Sequence, residues 1–467
     1  MENGNGWLPA VRDVLWGPPM LCLMLACGLS VALRTRCLPL RRLGTAVRTV
    51  LGGRKRGKTG AQGELTPFQS LTAALAATVG TGNIAGVTAA ITLGGPGALV
   101  WMWAAALLGM GTKYAEVLLA MHTRQRDRDG RWKGGPMNYL TWGLGGPGRV
   151  LAAVFCLFGV LAALGIGSAV QAGTVTETVW AAIRSFCPAF TARQAVGWTV
   201  GALCAASAGV TLLGGVTRLG RITERLVPAM AGLYILACLG VLLFRARFLF
   251  PVLADVFRGA LRPGAVTGGA VGGILAAASA GVRCGVFSNE AGLGSAPMAY
   301  AASGGDPGEQ GLYGIFEVFA DTLVICSLTG LTLLVSGIPI PYGEAGTAAL
   351  NAQALGSVYG PCAGPLFLAV STALFALATI LSWSFYGLRC WESLLGGRGV
   401  GLYRCLYILA CLFGSAAGPE AVWALAEILN GLMCLPNLTA LLILSPQVGA
   451  LARSNEKKRG NPAALLL

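Results

Sequence analysis

Charge is what this sequence has least of. Only 11% of its 467 residues are Asp, Glu, Lys or Arg, where a soluble globular chain carries about 25%. Too little polar surface is left to cover a water-soluble particle of 47.8 kDa. Histidine is rarer still. His122 stands alone, which excludes histidine-rich metal centres and any two-histidine mechanism. No C-x-x-C pair occurs among the 14 cysteines. They are scattered singly, most of them inside apolar runs, where cysteine serves as a small buried hydrophobe. These shortages exclude a cytosolic enzyme, a disordered chain and a disulfide-stapled secreted domain. What is abundant is apolar: 55% hydrophobic residues with 69 glycines besides, and a mean hydropathy of +0.68. A polytopic membrane protein is the class that remains, provided the apolar residues come in runs of about 20.

Eleven such runs are present, at 14–33, 68–93, 97–121, 150–180, 195–214, 226–244, 266–300, 311–337, 364–388, 402–417 and 421–446. We number them spans 1 to 11. The first is too long for a cleaved signal peptide, and basic residues follow it in bulk. No targeting tail or soluble domain is expected beside the spans. Short cytoplasmic loops retain lysine and arginine, and the loops after spans 1, 3, 5 and 9 and the tail 453–459 hold 25 of the 34. Seven lie on the other side, while Lys113 and Arg283 fall within spans. The expected topology places the amino terminus outside and the carboxyl terminus in the cytoplasm, across the cell membrane. The net charge of +15 then reflects topology and not a nucleic-acid partner.

Spans 2 and 7 differ from the others. Span 2 carries Gly80, Gly82 and Gly86 beside Thr78, Thr81 and Asn83, and span 7 carries Gly281, Gly285, Gly292 and Gly294 around Ser288-Asn289-Glu290. Glycine weakens a helix by about 1 kcal/mol relative to alanine, so such clusters mark places where the backbone leaves the helical ladder. In lipid that is tolerated only where the freed groups line a cavity or bind something. With span 1 set aside, span 2 opens one set of five and span 7 the next. Five is odd, so the second set enters the membrane from the opposite side. Broken helices at matching positions of two inverted halves point to a transporter with its site at the repeat interface. Small-residue packing explains Gly86, Gly109 and Gly111, but packing needs no Asn or Glu at mid-depth.

Other readings of the same stretch fail. TVGTG resembles a potassium-channel filter, yet it occurs once, inside a full span. Gly80, Gly82 and Ala85 fit a dinucleotide fingerprint that lacks its strand and its acidic residue. No enzyme is expected, since no Ser-His or Cys-His pair is available beyond His122. Lys113 and Glu116 stand three apart on span 3 and are expected to pair along one face. Glu317 and Asp321 lie one turn apart on span 8. Glu290 and Arg283 are candidate helix-face partners on span 7, and Gln171 is a lone polar residue among the glycines of span 4.

The longest motifs carry a resemblance. TPFQSLTAALAATVGTGNIAGVTAAITLGGPGALVWMWAAALLGMGTKYAEVLLA, GGPMNYL, GVFSNEAGLGSAP, FADTLVIC and W-x-L-A-E-x-x-N-G-L-M-x-x-P-N are similar to the alanine/glycine:cation symporter family, over about residues 14–447. The resemblance implies sodium-coupled, in some members proton-coupled, uptake of small neutral amino acids, alanine and glycine above all. It implies an all-α, leucine-transporter-type core of ten helices in two inverted repeats behind one extra helix. The divisions expected are 1–33 for the amino terminus and extra helix, 34–67 for a basic cytoplasmic loop, 68–244 and 266–446 for the repeats, and 447–467 for the tail. A sensor that binds an amino acid without translocating it is the other class considered, and the lack of a soluble signalling domain argues against it.

Carried onto this chain, the resemblance places the substrate carboxylate on the amides of Thr81 and Gly82, with Thr78, Gly80 and Asn83 beside them. Exposed amides at a half-helix start favour an anion. The substrate ammonium is expected near Phe287, Ser288 and Asn289, with Gln171 facing the same cavity. The sodium ion, the coupling ion with no further cofactor, is expected on the carbonyls of Ala76 and Val79 and the hydroxyl of Thr379. The chain departs from the family pattern at Ala378, where a second hydroxyl is usual. It departs also at Arg283-Cys284, where the arginine is displaced by one, at Leu388, where Glu is usual, and at Glu427, where Asp is.

Overall fold

Helices in this chain start where a proline or a small polar residue meets an apolar run. Thr66 closes a capping box, its hydroxyl accepting from the Gln69 amide and its own amide donating to Gln69 Oε1, both at 3.2 Å, so the helix begins at Pro67. Asp306 does the same before Pro307 by accepting from the Glu309 amide at 3.0 Å. Such caps satisfy amides that have no partner inside the helix. The computed structural model describes residues 7–53, 64–127, 130–262, 264, 267, 273–344, 346–416 and 419–460. Most of 266–272 expected in span 7, much of the basic loop and the end of the tail lie outside them.

Nearly all of the described chain is helical. Trp7–Leu15 and Pro18–Arg34 precede span 2, which is split into Pro67–Thr78 and Ala85–Gly94. Span 3 is Ala98–Thr123. Span 4 runs from Pro136–Leu164 through a π turn at Gly165–Ala169 into Val170–Phe186. Span 7 is Ile274–Asn289, with a short helix Pro297–Ala301 beyond its break. Span 8 joins Pro307–Val318 to Ser327–Val335 across a second π turn, Phe319–Cys326. Ala363–Leu395, Val400–Gly414 and Pro419–Gly460 follow as spans 9 to 11.

Among the described residues, seven helices are long and apolar enough to cross a bilayer, or eight if the bent pair of span 2 is one crossing. Fewer than eleven are found for a physical reason. The runs at 195–214 and 226–244 lie in one 52-residue helix, Arg193–Phe244. At about 1.5 Å per residue it is more than twice as long as a hydrocarbon core of about 30 Å. Gly215, at φ 67° and ψ −173°, interrupts it between the two runs. The sequence reading missed the helices Leu43–Gly53, Ala246–Leu261 and Ala348–Tyr359 in the connecting loops. It also missed a two-residue hairpin, in which Gln125 faces Lys133 and Arg126 faces Trp132.

Burial orders the spans around a centre. In span 3, 83% of the apolar window is buried, against 39% in span 1 and in the Arg193–Phe244 helix. Leu213, Leu236 and Leu243 on the latter stay exposed, the lipid-facing side of a membrane bundle. All 14 cysteines are free thiols; eight are buried, while Cys22, Cys37, Cys187 and Cys405 are exposed. Span 3 lies directly against span 7, because Gly281 has no side chain to hold them apart. A Cβ there would sit 2.3 Å from the Ala98 carbonyl oxygen and 2.8 Å from Trp101 Cβ. Gly281→Ala is therefore expected to destabilise the protein by about 1–3 kcal/mol, the usual cost of overpacking. Gly232→Ala, whose Cβ would meet nothing within 4 Å, serves as the control in melting curves of detergent-solubilised protein.

Candidate functional site

Span 2 breaks where its glycines stand. Val79 leaves helical geometry, Gly80 is extended, and one 3-10 turn, Thr81–Asn83, leads into the second half at a 56° bend. The side chain of Asn83 holds the break open. Its Oδ1 accepts from the Gly80 amide at 2.8 Å, the amide that a continued helix would give to the Ala76 carbonyl. The Asn83 amide turns to the Gly80 carbonyl at 3.3 Å, away from that of Val79. The carbonyls of Ala76 and Val79 are thus released from the two amides that would have occupied them.

Span 7 breaks at its polar triplet. The helix ends at Asn289, Glu290 adopts the left-handed region at φ 54°, and Gly292 and Gly294 follow at φ 96° and 80°. Left-handed geometry is costly for a residue with a Cβ. Three contacts impose it on Glu290. Trp383 Nε1 donates to Oε1 at 2.9 Å, Ser295 Oγ donates to Oε2, and Lys113 Nζ donates to the Glu290 carbonyl at 3.2 Å. The amides freed beyond the break are capped from span 3. Glu116 Oε1 accepts from Gly292 at 3.1 Å, Gly294 at 3.0 Å and Asn437 Nδ2 at 2.7 Å.

The two breaks meet. Asn83 Nδ2 donates to Ser288 Oγ at 2.9 Å and to Asp321 Oδ1 at 2.6 Å, which uses both its protons. Ser288 Oγ in turn donates a hydrogen bond to Asp321 Oδ2 at 2.8 Å. Asp321 sits on the π turn of span 8, and all three residues are buried. A Cβ on Gly82 would lie 3.5 Å from the Phe287 ring. On Gly80 it would lie 2.7 Å from Thr379 Oγ1 and 3.7 Å from Gln171 Oε1. The missing side chains therefore leave the Thr379 hydroxyl and the Gln171 carbonyl facing bare backbone.

Gln171 owes its position to the π turn of span 4. Its Nε2 donates to the Ile166 carbonyl, five residues back, at 3.1 Å. Its Oε1, like Thr81 Oγ1, is buried without a hydrogen-bond partner. Two unsatisfied buried oxygens beside one helix break are costly and mark a place that a polar ligand would complete. Thr379 donates to the Phe375 carbonyl at 3.1 Å and lies 3.5 Å from the Ala77 carbonyl. Carbonyl and hydroxyl oxygens are the hard donors that an alkali or alkaline-earth cation takes.

Not every expected site residue joins this group. Thr78 bonds back to Ala74 and Leu75 of its own helix, at 3.4 Å each. Asn289 turns toward span 8, donating to Thr322 Oγ1 at 3.0 Å and accepting from the Ala291 amide at 2.9 Å. Sequence reasoning missed Asp321 as the acceptor joining the breaks. It also missed Ser382, which donates to the Ala73 carbonyl at 2.8 Å, and Trp383. A carboxylate on a span adjoining two broken helices was the available signal for Asp321.

Two expected ion pairs are replaced. Lys113 pairs with Glu317 of span 8 at 3.1 Å, both fully buried, because Glu116, its neighbour along span 3, is taken up with the span 7 amides. Arg283 does not face Glu290. It lies 3.5 Å from Asp13, since the break turns Glu290 toward Trp383. Glu317 also accepts from Tyr300 at 2.8 Å. Lys113→Met strands this carboxylate and is expected to cost about 3–5 kcal/mol. Adding Glu317→Gln, which removes the charge and keeps an acceptor for Tyr300, is expected to recover much of that loss in melting temperature.

Comparison with known proteins agrees with this architecture. Residues 1–463 match the profile described as the sodium:alanine symporter family. The sodium/alanine symporter AgcS of Methanococcus maripaludis is 40% identical over 458 residues, covering 97% of either chain. The probable sodium/glutamine symporter GlnT of Bacillus subtilis is 35% identical over 460 residues, covering 96% of this chain and 90% of GlnT. Among solved structures, MhsT in complex with L-phenylalanine aligns with a TM-score of 0.56 at 15% identity, over 84% of this chain and 99% of MhsT. Mhp1, a nucleobase-cation-symport-1 family transporter, aligns at 0.51 and 13% identity, over 85% and 95%. At these identities both likenesses bear on the fold alone. A helical chain with span 2 broken against span 7, matched along almost its whole length, belongs to the sodium:alanine symporter family.

Proposed function

We propose that this chain is a secondary active symporter of the cell membrane that takes up alanine and glycine with sodium by alternating access. The observation that carries the reading is the meeting of two broken helices beside the Thr379 hydroxyl and the unsatisfied oxygens of Thr81 and Gln171. The substrate carboxylate would bind the amides of Thr81 and Gly82. Its ammonium would meet oxygens near Ser288 and Gln171, with Phe287 as the wall beside Gly82. Sodium would take the carbonyls of Ala76 and Val79 and the Thr379 hydroxyl, joining span 2 to span 9. The Ala76 and Val79 carbonyls and the substrate amides belong to the same break. Each ligand would therefore favour the closure that suits the other, a coupling typically worth about 1–3 kcal/mol. The glycines at 80 and 82 leave room beside the break, and the Phe287 ring and Thr379 close to their Cβ positions keep that room to a side chain of few atoms.

The proposed topology has eleven crossings, with two inverted sets at 68–244 and 266–446 behind the extra helix. It is supported by the Gly215 break that divides the 52-residue helix and by the short apolar helices Ile274–Asn289 and Val400–Gly414. The split of basic residues places the amino terminus outside. An amino-terminal tag is then expected to react with impermeant reagent on intact cells, and a carboxyl-terminal tag only after permeabilisation. Both tags on one side would refute the eleven-crossing topology.

The coupling ion has its own test. Thr379→Val keeps the shape of the side chain and removes its oxygen. In proteoliposomes it is expected to raise the sodium concentration for half-maximal alanine uptake by about tenfold, the equivalent of 1.4 kcal/mol. Thr379→Ser is expected to have the smaller effect. Unchanged sodium dependence in Thr379→Val would move the ion elsewhere. Uptake driven by a proton gradient alone would replace sodium with a proton.

A further inference from the structure

The amino-terminal helix carries two charged residues against span 7 and the first turns of span 11. Arg283 of span 7 lies 3.5 Å from Asp13 Oδ1. Asp13 is held in turn by Arg12, at 2.8 Å from Nη2 and 2.9 Å from Nε. Arg12 Nε is 3.6 Å from Glu427 Oε2 of span 11. The order Arg283, Asp13, Arg12, Glu427 is a chain of alternating sign that connects span 7 to span 11 through two consecutive residues of a third helix. The same two spans also meet at the site itself. Phe287, one turn from Arg283, packs its ring against that of Trp423, one turn from Glu427, at 5.5 Å between centroids.

We propose that Arg12 and Asp13 are positioning residues of the transport cycle, tying spans 7 and 11 together over the Phe287–Trp423 ring pair when the site is closed from outside. This rests on the transport reading above. The helix itself is anchored independently of the charges. Leu8 packs on Ala424 and Ile428, Trp16 Nε1 donates to the Glu427 carbonyl at 2.9 Å, and a Cβ on Gly431 would lie 2.5 Å from Leu15. Neutralising Asp13 therefore cuts the tie without releasing the helix. The strength of the tie also suits its task. Its side chains keep between 17% and 58% of their exposure, and ion pairs that are not fully buried contribute little. Such a pair can be broken once per cycle, whereas a buried one could not.

Hydrogen–deuterium exchange on the purified full-length chain in detergent tests this without reference to substrate. Asp13→Asn is expected to speed amide exchange about fivefold in peptides covering 274–289 and 422–430, the population shift that a part-exposed ion pair supports. Asp13→Glu is expected to exchange like the unaltered chain, and Arg12→Gln like Asp13→Asn. Melting temperatures should stay together. Acceleration confined to 7–15, acceleration everywhere with a lowered melting temperature, or no acceleration would each overturn the proposal. Release of radiolabelled alanine gives the second readout. Faster release from Asp13→Asn, but not from Asp13→Glu, supports the tie, and equal release from all three overturns its part in transport. A chain that retains no alanine while the exchange pattern holds would count against the transport reading and leave the tie between spans standing.

Discussion

A peptide group that leaves the helical ladder inside a bilayer has no water to turn to, so the protein must supply its partner. The arrangement around the two breaks follows from that constraint. Span 2 spends the side chain of Asn83 on the Gly80 amide. Span 7 receives the carboxylate of Glu116 on the amides of Gly292 and Gly294. Among the buried side-chain atoms without a partner, three lie beside the breaks: the Thr81 hydroxyl, the Gln171 carbonyl oxygen and the second oxygen of Glu116. The first two lie at the span 2 break. The freed amides of span 7 are thus capped by a protein carboxylate, while at the span 2 break two side-chain oxygens stay without a partner.

The buried charges serve the same end. Lys113 spans the gap between the Glu290 carbonyl and Glu317, and so joins the turn of span 7 to span 8. A buried lysine is expensive to desolvate, and hydrophobic residues would pack span 3 at lower cost. Only a donor of several hydrogen bonds on a long stem can reach both a strained carbonyl and a carboxylate. Trp383 completes the set from span 9 through Glu290 Oε1. Spans 3, 7, 8 and 9 are consequently referenced to one residue, Glu290, whose left-handed backbone would relax without them.

The broken spans and their order were legible because each break has a local signature, glycines beside amides and hydroxyls. That Ser288 and Asn83 would come together was legible from the two breaks. Their joint acceptor, Asp321, was not. The two π turns, Gly165–Ala169 and Phe319–Cys326, explain part of this. A π turn inserts an extra residue and rotates all that follows, so helical spacing no longer tells which face Gln171 or Asp321 presents. The Lys113 pairing failed for a related reason. Spacing along span 3 offered Glu116, and only the tertiary fold shows that Glu116 is already engaged by a neighbouring helix.

The departures from the family pattern can be weighed the same way. Moving an arginine one position along a helix turns it by about 100° and lifts it by about 1.5 Å, enough to take it off the face it would otherwise share. In this chain the displaced Arg283 meets Asp13, and Glu427, one methylene longer than the usual Asp, reaches Arg12. Both residues sit in one chain of charges. Ala378 has no such counterpart in its own position. The Ser382 hydroxyl, one turn along, is already spent on the Ala73 carbonyl. The burden of a span 9 oxygen at the break therefore falls on Thr379, whose hydroxyl has room only because residue 80 is glycine. Gly80 and Thr379 are in that sense one feature, since a side chain at the first would close the position that the second provides.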